Sequence, residues 1–335
     1  GGKTLTGGLQ LKGTSQTYTL ADAWDVSGTL TLSGISAITL NAQSMAVGGG
    51  LSVVTSTTGT TAITLDGTGT WSSSDNIANN LTINTAGTIT VSGTVRYRTG
   101  TFTYTAGTTV VTSSTLNLTQ SATLNTSGMT WNNIVMVGGG AATVTISSNL
   151  NLSGLLTISN QTAVNGAFNV NTGGITINAA ITGTASLVFN GTGTWSGSST
   201  NFISINLTIN TAGTLTLSGI VHFRTATFTY TTGTVVTTGS TLNVGGTVST
   251  AVLNLSGITW NNVTLASTTN IITITLTSNM DVNGTLTLGA TSLALTLNGF
   301  TINAGGSLTI APTTGRVIGT TNIIMDGTGT WSSSL

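Results

Sequence analysis

The chain has 335 residues, of which 4% are charged: six Lys and Arg balance six Asp, with one His and no Cys. An ordinary globular protein carries roughly 25% charged residues, so the surface here must be coated with Thr, Ser, Asn and backbone. That composition excludes the clustered cations that nucleic acid requires, a disulfide framework or thiolate site, and any apolar run near the ~20 residues that span a bilayer.

Residues 1 to 20 are rich in Gly, Thr and Leu, with short alternating pieces such as Leu9-Gln10-Leu11. They lack the charged-then-apolar layout of a signal peptide and read as a processed end or the cut edge of something longer. Next comes AWDVSGTLTLSG, from Ala23 to Gly34, whose relatives are NLNLSGLLTISN from Asn149 and NMDVNGTLTLGA from Asn279. Aligned through Gly28, Gly154 and Gly284, these lie 126 and 130 residues apart. One slot stays apolar (Trp24, Leu150, Met280) and the next stays short and polar (Asp25, Asn151, Asp281).

A glycine cluster (Gly48 to Gly50) then leads into ITLDGTGTWSSS, and GTGTW recurs with its tryptophan at Trp71, Trp195 and Trp331. After the first two copies comes the block around which the chain is organised, LTINTAGTITVSGTVRYRTGTFTYT from Leu81 and LTINTAGTLTLSGIVHFRTATFTYT from Leu207, identical at 19 of 25 positions. A Thr/Val/Leu stretch follows, then GMTWNNIVM from Gly128, repeated as GITWNNVTL from Gly257. The long repeat therefore runs to about 125–135 residues, with 1–70 a partial unit, 71–194 and 195–330 full units, and 331–335 the start of a third.

Within a unit, apolar and small polar residues alternate with period two, as in Thr101-Phe102-Thr103-Tyr104-Thr105, the pattern of a strand with one buried face. Starts every ~7 to 10 residues leave no room for helices, which Thr, Gly, Ser and Asn also disfavour. Proline occurs once, at Pro312. Three features select an elongated parallel β-helix, or β-solenoid. Gly at the corners permits φ > 0 bends; Thr, Asn and Val can stack on themselves from rung to rung; and small length changes between copies fit loops budding from a corner. At roughly 20 to 25 residues per rung the chain makes about 14 coils, and at ~4.8 Å per rung a rod of roughly 65 to 70 Å. The competing reading, tandem β-sandwich modules, rests on six Asn-Gly or Asp-Gly pairs at 66, 165, 190, 283, 298 and 326, which are also hairpin signals.

The GTGTW, TWNN and TLTLSG elements resemble the charge-poor β-solenoid repeat proteins of phage (virion) fibres and bacterial surface adhesins. The resemblance implies an extracellular or virion-exposed shaft that spans distance and holds something at its tip, and it supplies no binding residue.

The residues themselves offer little chemistry. Asp22 and Asp25 form the only close acid pair, and their i, i+3 spacing on a strand points them to opposite faces, which does not serve a glycosidase. A Ser-His-Asp arrangement would need His222, yet the other copy carries Arg96 there, so the position reads as a variable surface slot. Asp66 and Asp326 open D-G-T-G-T turns that could hand oxygens to Ca²⁺, but the middle copy has Asn190 and an Asx-turn is the simpler role. Neither a metal nor a cofactor is expected. Arg96 and Arg98 flank Tyr97 on one strand face, with His222 and Arg224 in the second copy, and a solvated face is the simplest role for them. Trp71, Trp195 and Trp331 could stack on a sugar or fill the coil. These three tryptophans with Arg96, Arg98 and Arg224 are the possible surface or ligand contacts. The repeated Thr-x-Thr rows, such as Thr143/Thr145 and Thr273/Thr275/Thr277, could form an ice-binding lattice, but their intervals are irregular and the β-propensity of Thr explains them.

The expected function is a non-enzymatic structural shaft of a virion or extracellular appendage, with a bacterial adhesin or filament subunit as the alternative and a glycan-depolymerising enzyme or ice-binding solenoid further off. Expected partners are a host-surface glycan or protein and neighbouring subunits or flanking repeats of the same protein, with no nucleic acid and no membrane insertion.

Overall fold

The computed structural model describes residues 2–333 except 35–36, 139–141, 161, 247–248, 297, 311–316 and 319–321, so Pro312 lies outside the described residues. The chain divides into two compact units, Gly1–Asn171 and Thr172–Leu335. Each is a parallel β-solenoid, without a helix among the described residues, and together they hold about 14 turns. The Asn-Gly and Asp-Gly pairs make no hairpin among the described residues. In the first unit Asp66 donates its N–H to Val47 O at 3.1 Å, and in the second Asn190 donates to Thr172 O at 3.1 Å, each a bond to the turn before.

In the first unit the chain circulates through three faces. The first carries Lys3–Leu5, Trp24–Val26, Met45–Val47, Ile63–Leu65 and the start of the long strand Leu81–Ser92. The second carries Leu9–Lys12, Leu30–Ser33, Leu51–Val53, Gly69–Ser73 and the end of Leu81–Ser92. The third carries Thr17–Leu20, Ile38–Ala42, Thr57–Thr58, Asn76–Ile77, Thr94–Tyr97, Thr115–Leu118, Asn133–Met136 and Leu155–Ile158. Pairing is parallel and in register, Lys3 facing Trp24 and Phe102 facing Leu124. Because alternate residues point inward, each face buries a column of apolar side chains. Val26, Val47, Leu65 and Ile83 are fully buried in one, and Val95, Leu116, Ile134 and Leu156 in another. No turn encloses a core alone; each supplies the lid of the one before it.

Glycine marks the corners because backbone stacks directly on backbone there. A Cβ on Gly67 would overlap the carbonyl oxygen of Gly48 in the turn below, and one on Gly69 the carbonyl of Gly49, which explains the GTG that follows Asp66.

The sequence repeat is out of step with the turn. In the first unit Leu30, of TLTLSG, stacks through Leu51 and Trp71 to Val91. Its counterpart Leu156 stacks through Ile134 and Leu116 to Val95, one corner further round the same turn. The second unit repeats the pattern: Trp195 faces Leu217, whereas Trp331 stacks through Leu308, Leu286, Val263 and Leu242 to Val221. In both cases a later copy of a motif lies on the next face. The repeat length is not a whole number of turns, so equivalent side chains are carried around the coil as well as along it.

Candidate functional site

The organising block is where sequence identity between copies is highest, and its conserved residues face the turns above and below. In the first unit Trp71 stacks on Phe102 with centroids 5.7 Å apart, and Trp131 lies 5.7 Å from Phe102 and 6.0 Å from Trp71. In the second unit Trp195 lies 5.9 Å from Phe228, which lies 6.1 Å from Trp260. Trp71 and Trp195 are completely buried and fill the coil, so no solvated sugar can stack on them, while Trp331 is 71% exposed.

The polar residues of the block hold corners. Thr85 donates its hydroxyl to Gly67 O at 2.8 Å and accepts from Gly87 N; Thr211 donates to Gly191 O at 3.0 Å and accepts from Gly213 N. The second Asn of TWNN caps the following turn: Asn133 Oδ1 accepts from Leu155 N and Asn262 Oδ1 from Thr285 N, both at 2.8 Å. A Cβ on Gly154 or Gly284 would collide with that amide, which ties TWNN to the glycine one turn later. The short polar slot is an amide ladder, Asn171 Nδ2 donating to Asn151 Oδ1 and Asn303 Nδ2 to Asp281 Oδ1, each at 2.7 Å.

The copies part company on the face that carries Arg96 and Arg98. Arg96 is exposed and Arg98 half-buried, and the Asp75 carboxylate lies close enough to feel the charge of Arg96. Asp75 Oδ1 accepts from Ser56 Oγ at 2.6 Å and Asn76 N at 2.7 Å, and Asn76 Oδ1 accepts from Thr119 Oγ1 at 2.7 Å. Partial burial pushes the Asp75 pKa up, but these hydrogen bonds and Arg96 together hold it below the ordinary value.

In the second unit Phe202 stands where the first has Asn76, and the Arg224 guanidinium carbon lies 3.5 Å from the centroid of its ring. The expected surface slot at His222 is not at the surface: the ring is 6% exposed, edge-on to Phe202 at 5.9 Å. Its Nδ1 lies 2.9 Å from Ser199 O and its Nε2 2.9 Å from Gly245 O, so both nitrogens contact backbone carbonyls of flanking turns. Burial lowers the His222 pKa, Gly245 O pulls it back, the Arg224 charge lowers it again, and Ser199 O raises it, with a net depression. Burial also lowers the Arg224 pKa, and its Nε has no hydrogen-bond partner.

The alternating pattern on Val221–Phe223 could not reveal the burial of His222, because period two assigns it to the solvent side and the groups that cover it, Phe202 and the Ser199 and Gly245 carbonyls, come from flanking turns. The signals were Phe202 in place of Asn76 and Gly246, where a Cβ would collide with the Arg224 side chain. Neutral His222 donates its single N–H to one of the Ser199 and Gly245 carbonyls, and the lone pair of its other ring nitrogen faces the second carbonyl oxygen within the fold. No three His or Asp side chains group to hold a metal ion among the described residues. Asp25 is exposed and Asp22 half-buried. The hydroxyl rows form shallow surface depressions, one lined by Thr101, Thr123 and Thr145, another by Ser52, Ser72 and Ser92. The chain matches no protein-family model, no curated protein and no solved structure.

Proposed function

We propose that the chain is a non-enzymatic structural shaft of an extracellular or virion appendage, similar to a phage tail fibre, which spans distance and supports attachment to a host or surface. One observation carries the reading: the contacts that the two repeats share, in and around the block, are those that join one turn to the next, while the changes of residue character fall mainly on the face of Asp75 and Arg96 and at the buried pair Asn79 and Tyr97. Trp71, Phe102, Trp131, Thr85 and Asn133 have Trp195, Phe228, Trp260, Thr211 and Asn262 as counterparts in type; the threonine and asparagine bonds repeat, while the ring pair is stacked in the first unit (Trp71 and Phe102) and edge-on in the second (Trp195 and Phe228). Asp75, Asn76 and Arg96 become Asn201, Phe202 and His222. Identity spent on turn-to-turn contacts suits a protein whose task is to extend its own fold.

The test has two readouts. Small-angle scattering from the purified chain should give an elongated particle with the cross-section of a single coil, and immunogold labelling should decorate appendages on intact virions or cells. Compact particles, or polysaccharide cleavage abolished by Asp22→Asn or Asp25→Asn, would overturn the reading.

A further inference from the structure

The interior of the first unit carries a polar cluster that its own hydrogen bonds leave unfinished. Thr57 is buried in the column of Ile38, Ile77 and Tyr97. Thr61, also buried, stands on the far side of the corner that follows, where Gly59 turns the chain with φ at +113°. Asn79 comes from the next turn and reaches across that corner, its Nδ2 donating to Thr58 O at 3.3 Å and to Thr61 O at 3.2 Å.

Those two carbonyls fix the orientation of the amide, because exchanging its nitrogen and oxygen would set three acceptors against one another. Asn79 Oδ1 therefore needs a donor, and no described protein group supplies one. Thr57 Oγ1 and Thr61 Oγ1 likewise have no partner. Buried hydroxyls elsewhere in this unit do find carbonyls: Thr55 donates to Gly34 O at 2.5 Å, Thr85 to Gly67 O at 2.8 Å and Thr126 to Asn149 O at 3.1 Å. A buried polar atom left without a partner costs more than an ordinary hydrogen bond gains, so three around one corner demand a common cause.

The second unit removes all three together. At the 124-residue offset that relates Trp71 to Trp195, Thr57 becomes Ile181 and Thr61 becomes Ala185. At the 126-residue offset of the organising block, Asn79 becomes Ile205 and Tyr97 becomes Phe223. The column is otherwise alike, Ile181 facing Ile203 and Ile203 facing Phe223, and every replacement is buried. Groups that are polar as a set in one copy and apolar as a set in the other behave as parts of one site.

We infer that Thr57, Thr61 and Asn79 hold one internal water molecule inside the first unit. Both threonine hydroxyls donate to its oxygen, and one of its hydrogens goes to Asn79 Oδ1, so three bonds satisfy three otherwise unpaired groups. Charge balance selects water over a metal ion. The site offers only neutral oxygens, and the acid nearest along the chain, Asp75, has its carboxylate turned to Ser56 Oγ and Asn76 N. A cation there would lie inside the coil without a counter-charge. The water joins two successive turns, whatever the shaft is attached to.

Magnetic relaxation dispersion of water oxygen tests this on the intact chain, since it counts water molecules that stay bound for longer than the protein takes to tumble. The Thr57→Ile/Thr61→Ala/Asn79→Ile triple variant, which copies the second unit, should hold one such molecule fewer than the unaltered protein, with an unchanged circular dichroism spectrum. Equal counts in the two folded proteins overturn the inference. A crystal structure of the unaltered chain answers even if the variant does not fold: the expected result is a single peak about 2.6–3.0 Å from Thr57 Oγ1, Thr61 Oγ1 and Asn79 Oδ1. No peak, a threonine hydroxyl donating directly to Asn79 Oδ1, or a peak that rubidium replaces would each overturn it.

Discussion

The two copies of the organising block, 81–105 and 207–231, solve one packing problem with two kinds of interior. In the first, Asn79 is completely buried, its Nδ2 donating to Thr58 O at 3.3 Å and Thr61 O at 3.2 Å while its Oδ1 has no partner, and Tyr97 donates its hydroxyl to Asn79 O at 2.9 Å. In the second, Ile205 and Phe223 occupy both positions, fully buried. The changes go together: when the hydroxyl is lost, so is the amide beside it. On the flanking face the trade runs the other way, an exposed Arg96 giving way to a buried His222. A stack of coils thus tolerates exchange of polar for apolar groups wherever both members of a contact change, because each turn must match only its two neighbours.

The largest effect should come from what the copies share. Trp71→Ala and Trp195→Ala should each cost about 3–5 kcal/mol in denaturant unfolding, the range for emptying a large aromatic site. A small loss in one unit alone would mean that the two aromatic stacks are not equivalent.

The Asn79–Tyr97 pair offers a sharper probe. Tyr97→Phe alone should destabilise by about 1 kcal/mol, since Asn79 O loses its donor. Adding Asn79→Ile, which copies the second unit, removes the buried orphan Oδ1 and the two Nδ2 donations but leaves the Asn79 backbone carbonyl that the Tyr97 hydroxyl had satisfied. The hydroxyl's contribution should therefore be the same with either residue at 79, and a double-mutant cycle showing coupling well above about 0.5 kcal/mol would contradict the backbone-directed bond.

Asn133→Ala and Asn262→Ala each strip the acceptor from one backbone N–H, and each should cost about 1 kcal/mol of stability by the same unfolding assay. Equal losses would confirm that TWNN performs one task in both units.

Acid should produce the smallest and most localised difference. His222 has a folded pKa below the ordinary 6.5, so the unfolded chain takes up its proton first; the stability is complete above 6.5 and drains away as pH falls through and below that value. Asp75, also depressed, keeps its contribution above its ordinary 3.8 and loses it only as pH falls further. Amide exchange between pH 7.5 and 5 should therefore loosen the turns around His222 and leave those around Asp75 unchanged, and His222→Gln should abolish the difference. Equal loosening in both regions would contradict this assignment.

Much of this architecture was legible in the sequence because the interior obeys period two: Val26, Leu65 and Ile83 could be placed inside from alternation alone. The spacing of TWNN from the following glycine was visible as a repeat, although its cause, an Asn133 amide seated where Gly154 lacks a Cβ, required coordinates. The burial of His222 and the cation–π contact of Arg224 were hidden, since they depend on which residues of flanking turns, about twenty positions away, come alongside. The advance of the repeat by one face was hidden for the same reason: a sequence shows the period of a motif but not the number of residues in each turn.

Parallel, in-register stacking is tested most directly by cross-linking, because the chain has no cysteine of its own. Thr123 faces both Thr101 and Thr145 on the outer surface, so Thr101→Cys/Thr123→Cys and Thr123→Cys/Thr145→Cys should each close a disulfide readily under mild oxidation. Thr103→Cys/Thr123→Cys, displaced by two residues, should not. If the displaced pair closes and the in-register pairs stay reduced, the coils do not stack as described.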